Sequence, residues 1–264
     1  MNLQVLVATM HQRDHSLLEK MNIQSDAIIG NQCDRNEIEE FKYNGHKIKY
    51  LSFAERGVGL NRNNALMRAT ADICVLADDD MVYVDKYDKI IKEQFKQNPK
   101  ADVIIFNLIE EEPTRYIIKE KYKVQFMNYM RFGAVRIAFK TKSITKNGIS
   151  FNQHFGGGTE HSAGEDVLFL TDCLKKKLNI IAVPIYIAYL TEERDSTWFE
   201  GYTDKFFKDK GILFYYISKR WSKLLCLQFV IRRRNMFKKD KNIIEAYKLM
   251  LEGIKEDRES WNGV

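Results

Sequence analysis

Short runs of unbroken apolar residues set the strongest limit on how this chain can fold. "LQVLVA" (3–8), "DAIIG" (26–30), "KIKYLS" (47–52), "DICVLA" (72–77) and "DVIIFN" (102–107) all fall near or within the first hundred residues, and several are apolar throughout. A strand with one wet face alternates apolar and polar residues; a strand covered on both faces does not. Between the runs lie helical patterns, "SLLEKMNI", "NRNNALMRAT" and "DKYDKIIKEQFKQN". The last sets Tyr87, Ile90, Ile91 and Phe95 on one face and stops before Pro99. Alternating strand and helix predicts an α/β fold, a mostly parallel central sheet flanked by helices. In such sheets ligands bind outside the carboxyl ends of the strands.

The rest of the chain is less regular. "AVRIAF" (134–139) and "IIAVPIYIAY" (180–189) read as strands, with Gly156, Gly157 and Gly158 marking a flexible loop between them. A helix follows, with Val167, Leu170 and Leu174 on one face. The final sixty residues read as helical, basic and aromatic. Residues 205–264 carry +8, whereas the rest of the chain carries −2. The expected division is therefore an α/β domain over 1–204 and a basic helical extension over 205–264. Cys33, Cys74, Cys173 and Cys226 are scattered without a CxxC pair, which points to a reducing cytoplasm rather than to zinc or disulfides. "MNLQVLVATMHQRD" lacks a basic n-region and reads as a first strand, not an export signal.

Three constellations carry chemistry. In "CVLADDDMVY" (74–83) three carboxylates crowd the end of an apolar run, where like charges oppose ionisation. An exposed turn is the competing reading. A hard divalent cation would cancel the repulsion, because Mg²⁺ or Mn²⁺ takes one or two carboxylates and completes its shell with phosphate oxygens. On an extended backbone Asp78 and Asp80 would face one side and Asp79 the other. In "ERGVGLNRNNALMRA" (55–69), Gly57 and Gly59 precede a helix that Asn61 could cap, with Arg62 in its first turn, suited to a diphosphate. The third glycine of a dinucleotide fingerprint is missing. In "SAGEDVLF" (162–169), Ser162 and Glu165 fit a capping box, which leaves Asp166 as a candidate general base. His154 and His161 flank the glycines as loop residues.

In this order the three elements resemble the GT-A glycosyltransferases, specifically family 2, over residues 3–190. "VLVATMH" (5–11) is similar to the family's first strand, with Ala8 in place of its proline and Thr9 kept. Gly57, Arg62, Asn63 and Ala65 match the segment that precedes the D-x-D motif. Asp78 and Asp80 fall on the two motif aspartates, and Gly164, Glu165 and Asp166 on the later G-E-D. The resemblance implies a Rossmann-like GT-A fold and inverting, hexosyltransferase-type transfer from a nucleotide-diphospho-sugar, with 1–204 as the catalytic domain, its half over about 1–110 binding the nucleotide-sugar and its half over about 111–204 the acceptor. It implies that Thr9 touches the nucleotide base, that Asp78 contacts the ribose and the metal-bound diphosphate, and that Asp80 holds Mn²⁺ or Mg²⁺. Asp79 faces the protein or the ribose, Asp166 deprotonates the acceptor hydroxyl, and Glu165 lies on the acceptor side. Where the family's second strand ends in two acids, "IIGNQCD" has Asn31 and Gln32. An amide donates as well as accepts, so UDP is a prior for the donor nucleotide. Trp198 could stack on an acceptor sugar.

"GILFYYISKRWSKLLCLQFVIRRRNMFKK" (211–239) is too interrupted by charge to span a membrane, but it suits a basic amphipathic helix lying on an anionic surface. A helix packed on the catalytic domain with a solvated basic face is the alternative. The expected partners are thus a nucleotide-sugar, a saccharide acceptor that a lipid diphosphate could carry, and an anionic membrane, with nucleic acid disfavoured. The expected location is the cytoplasm, peripheral to the inner face of the cell membrane, in surface polysaccharide synthesis. Two rivals are a sugar-phosphate nucleotidyltransferase, whose Gly-rich first loop is missing from "ATMHQRD", and a non-catalytic carbohydrate- or membrane-binding protein on the same fold.

Overall fold

The computed structural model describes residues 1–191 and 201–262. The chain divides into two units, residues 1–160 with 165–195 and residues 161–164 with 196–264.

The first unit is built on a sheet of β1 (Leu3–Met10), β2 (Asp26–Gln32), β3 (Glu37–Tyr43), β4 (His46–Phe53), β5 (Ile73–Asp78), β6 (Met81–Tyr83), β7 (Val103–Ile109), β8 (Tyr122–Lys123), β9 (Ile137–Lys140) and β10 (Ile180–Leu190). The strand order is β3-β4-β2-β1-β5-β9-β7-β10-β6, and β8 pairs with β10. β4, β2, β1 and β5 run parallel. β9 lies antiparallel between β5 and β7, so β7 and its parallel neighbour β10 point the same way as β5. The carboxyl ends of β1, β2, β5, β7 and β10 therefore share one edge. The helices are α1 (Leu17–Lys20), α2 (Val58–Arg68), α3 (Tyr87–Gln97), α4 (Thr141–Lys146) and α5 (Glu165–Lys175).

The unbroken apolar runs are accounted for by two cores, one on each face of the sheet. Along β5, Ile73, Val75 and Ala77 enter one core, and Cys74 and Leu76 enter the other. Along β7, Ile104 and Phe106 oppose Val103 and Ile105 in the same way. Each Val, Leu, Ile or Phe among them contributes about 1.5–3 kcal/mol when fully buried. Tyr87, Ile91 and Phe95 of α3 are buried in the first core and Ile90 packs against it. All four cysteines are buried thiols.

Several local expectations are corrected. The sheet has three strands beyond those the apolar runs predict, β3, β6 and β8. β3 is a polar edge strand with exposed Glu37, Glu40 and Lys42, and β6 and β8 are very short. Residues 134–136 form a 3-10 turn, so β9 begins only at Ile137. The tail is not one helix. The second unit holds α6 (Asp204–Ile217), α7 (Ser222–Arg232), α8 (Arg234–Phe237) and α9 (Ile243–Asn262). Thr203 caps α6, its hydroxyl accepting the Phe206 N–H at 3.2 Å. α6 lies against α9 closely enough that a Cβ on Gly211 would collide with the Met250 carbonyl oxygen. Phe207, Phe214, Phe237 and Met250 are buried in this unit. No helix among the described residues is long and apolar enough to cross a membrane.

Candidate functional site

β5 ends at Asp78, and Asp79 and Asp80 turn the chain into β6. The triplet is therefore a turn, not the extended segment that would set Asp78 and Asp80 on one side. Each carboxylate meets a different surrounding. Asp79 Oδ2 accepts the Thr9 hydroxyl at 2.6 Å, across the adjacent strand end. Asp78 Oδ1 accepts from Arg62 at 2.7 Å. Asp80 is the exposed member, yet the protein packed beneath it and the charges of Asp78 and Asp79 push its carboxyl up to about 6.

Arg62 organises the centre. Its guanidinium is 3 % exposed and bridges Asp78 at 2.7 Å and Glu165 at 2.7 Å, stacking over Phe151 at 5.6 Å. Burial alone would lower its pKa, but Asp78 and Glu165 reverse the effect and hold it above the ordinary arginine value. This corrects two expectations. α2 begins at Val58 with Gly57 as its cap residue, so Asn61 is not the cap and Arg62 lies beyond the first turn. Arg62 also does not present its charge outward to a diphosphate, because it is spent on two carboxylates.

Glu165 is likewise reassigned. α5 starts at Glu165, so Ser162 lies outside the cap and no S-x-x-E box forms. The Glu165 carboxylate instead closes on Arg62, and Asp166 becomes the second residue of the helix. Asp166 Oδ1 accepts the Val167 N–H at 2.6 Å. Gly156 is required beside them: its φ is +102°, and a Cβ there would come within 2.8 Å of Glu165 Oε2. Asn63 clips α2 to the strand-like segment below, its amide donating to Phe151 O at 2.9 Å and accepting Phe151 N–H at 2.8 Å.

The two residues expected to meet the base are inward-facing. Thr9 is 4 % exposed, and its hydroxyl joins Asp79 to the Gln12 amide at 2.9 Å. Asn31 is fully buried; its amide grips both backbone groups of Gln12, at 3.0 Å each, and donates to Ser52. Both therefore hold Gln12, in the loop after β1, and Thr9 also holds the aspartate turn. Gln32 accepts the Gly57 N–H at 2.8 Å and steadies the start of α2. The bracing roles of Gln12 and Phe151 carry no sequence signal, since Asn31 and Asn63, which hold them, are distant in the chain. Trp198 lies outside the described residues.

Among the described residues no group of three or more His, Cys, Asp or Glu is arranged to hold a metal. The residues present fit a cation that takes few protein ligands. Asp80 offers an exposed carboxylate under repulsion from two others, a repulsion that a divalent ion relieves. Asp78 keeps a second oxygen beside the one that Arg62 occupies. Such a shell would be completed by phosphate oxygens and water.

The fold is shared with solved structures of S. aureus TarS. The crystal structure of S. aureus TarS 1–349 in complex with UDP-GlcNAc superposes with a TM-score of 0.67 at 16 % identity, covering 96 % of this chain and 79 % of that one. The same TarS segment in complex with UDP gives 0.63 at 16 % identity, covering 97 % and 82 %. A comparison with curated proteins finds no matching sequence. The family model "Glycosyl transferase family 2" matches residues 29–161, which takes in the Arg62 segment, the aspartate turn and the glycine loop. With that match spanning just over half of its length, the chain belongs to glycosyl transferase family 2.

Proposed function

We propose that this glycosyltransferase moves a hexose from a nucleotide-diphosphate sugar to a saccharide hydroxyl with inversion at the anomeric carbon. The observation that carries the reading is the double ion pair of Arg62, which brings the end of β5 and the start of α5 together. A donor diphosphate over the Asp78–Asp80 turn would then lie beside Asp166. Asp166 takes the proton of the acceptor hydroxyl as its oxygen bonds to the anomeric carbon. The bond to the diphosphate oxygen breaks on the opposite face, and its electron pair leaves with the nucleoside diphosphate. Asp80, with Asp78 beside it, would hold Mn²⁺ or Mg²⁺, which supplies positive charge to the departing diphosphate. Glu165 and Arg62 keep Asp166 in register with the turn. UDP is supported as the nucleotide by the TarS complexes with UDP and UDP-GlcNAc.

The setting we propose is surface polysaccharide synthesis at the cytoplasmic face of a membrane. What supports it is α7, where Leu224, Leu227 and Ile231 are 40–56 % exposed on one face, opposite buried Ser222, Cys226 and Val230. Eight Lys/Arg and no acid occur over residues 211–239.

Two measurements test the transfer reading. A thermal-shift panel of UDP-, GDP-, dTDP- and CMP-sugars with and without Mn²⁺ should give the largest rise for a UDP-sugar with metal, since a ligand stabilises the state that binds it. Asp166→Asn should retain that shift while transfer falls by at least ~100-fold, the lower range for losing a general base; unchanged transfer would remove Asp166 as the base.

A further inference from the structure

A second feature lies on the same edge of the sheet. The carboxyl ends of β7 and β10 and the chain after β7 enclose a cavity of about 350 Å³, walled by Asn107, Glu110, Arg115, Tyr116, Arg136 and Tyr186 among others. Its size is at the low end of the range for small-molecule sites, roughly 300–1,000 Å³. Arg136 is the unusual member. It is 2 % exposed, and its guanidinium donates to Phe106 O at 2.6 Å, Tyr116 O at 2.8 Å and Asn107 Oδ1 at 2.8 Å. All three acceptors are neutral, and among the described residues no carboxylate pairs with Arg136. The single carboxylate of the wall, Glu110, is taken by Arg115 at 2.6 Å. Two guanidiniums thus share the charge of one carboxylate, and the buried one has no carboxylate bonded to it. Removing a charge from water is costly unless an opposite charge meets it. Burial accordingly pulls Arg136 down to about 10.

The cavity adjoins the reaction centre on two sides. Arg115 lies near enough to Asp80 to favour its ionised form. Gly133, which opens the 3-10 turn that carries Arg136, packs beside Asp166, whose Oδ2 would be 3.7 Å from a Cβ at that glycine. Tyr116 and Tyr186 are each 41 % exposed and give the wall aromatic surface suited to a sugar ring.

We propose that this cavity is a subsite for an acidic sugar unit, one whose carboxylate or phosphate supplies the bonded counter-charge that Arg136 lacks. The inference rests on the transfer reading above, because it makes the cavity part of that site. Either the donor sugar or the acceptor could bring the charge, so the test has two arms, both by isothermal titration of the full chain with Mn²⁺. In the donor arm UDP-glucuronic acid is compared with UDP-glucose. In the acceptor arm the chain is first saturated with UDP, then titrated with glucose 6-phosphate, glucuronate and glucose. The expected result is at least a tenfold preference for the charged member in one arm, which also identifies the source. Arg136→Gln should abolish that preference. If Arg136→Gln fails to fold by circular dichroism, Arg115→Gln at the half-exposed partner of Glu110 replaces it, and should reduce the preference at least threefold. Equal affinity for charged and neutral ligands in both arms, or a preference unaltered in the folded variant, overturns the proposal. UDP binding itself reports separately on the nucleotide site: if UDP binds and neither arm discriminates, only the subsite fails.

Discussion

At the scale of single residues, the site is held by one buried cation with two anions. Arg62 is worth most as a fork: its NH1 and NH2 nitrogens each reach a different carboxylate. Removing one partner of a buried ion pair leaves the rest uncompensated, at a cost of about 3–5 kcal/mol. Arg62→Met should therefore lower unfolding free energy by that order in urea titrations. Arg62→Lys keeps the charge but cannot fork, so it should recover part of the stability and little of the transfer rate. A Lys variant with full transfer would show that the bridge does not align Asp78 with Asp166. The identities of these residues are legible in the sequence; their partners are not. Asp78, Asp80, Glu165 and Asp166 stand out because acids at a strand end or beside a glycine loop need a reason. That Arg62 turns inward, that Thr9 reaches Asp79, or that Asn31 braces Gln12, depends on contacts between residues far apart in the chain. Local patterns favour helix caps at Asn61 and Ser162. The longer-range demands of Gly30 and Glu165 prevail: a Cβ at Gly30 would overlap the Asn61 side chain, and Glu165 is drawn to Arg62.

At the scale of elements, legibility follows burial. β1, β2, β5 and β7 are readable because a strand covered on both faces must be apolar along its length, and a solvated loop would not be. β3 is not, because its exposed Glu and Lys side chains mark a solvated edge and look like loop. β6 exists because the aspartate turn reverses the chain onto β10, a pairing set by the register of Met81 with Leu190. In the second unit, α6 carries a charge cluster that no motif announces. Asp209 accepts from His161 at 2.9 Å and from Lys205 at 2.6 Å. Burial would raise its carboxyl, but these two hydrogen bonds outweigh it and hold the pKa below the ordinary aspartate value. A carboxyl lowered by folding adds stability above its unfolded pKa, roughly 3.9, and that stability is lost as pH falls below it. The helical signal of the wild type should therefore resist urea less well at about pH 3 than at about pH 5. Asp209→Asn, which cannot titrate, should show a smaller difference between those two pH values. An equal pH dependence in both proteins would remove the cluster from the account.

At the scale of the whole molecule, the excess of basic charge and a row of exposed apolar residues coincide on α7. Single exposed apolar residues are ordinary, but a row of them along α7 beside clustered arginines is not. The anionic bilayer proposed above would satisfy both demands: its headgroups would meet Arg232, Arg233 and Arg234, and its interface would accept Leu224, Leu227 and Ile231. The two contributions separate experimentally because only one is screened by salt. Each basic residue near an anionic surface is worth about 1 kcal/mol. Replacing Arg232, Arg233 and Arg234 together by Gln should thus weaken flotation with phosphatidylserine-containing vesicles by on the order of 100-fold at low salt, and make it less salt-dependent. Leu224→Glu with Ile231→Glu should weaken binding to the same vesicles at both low and high salt. Neither change touches the Arg62 centre, so UDP-dependent thermal stabilisation should be preserved in both. Flotation that is absent in the wild type at low salt, or insensitive to all five positions, would return α7 to the reading of a solvated basic helix.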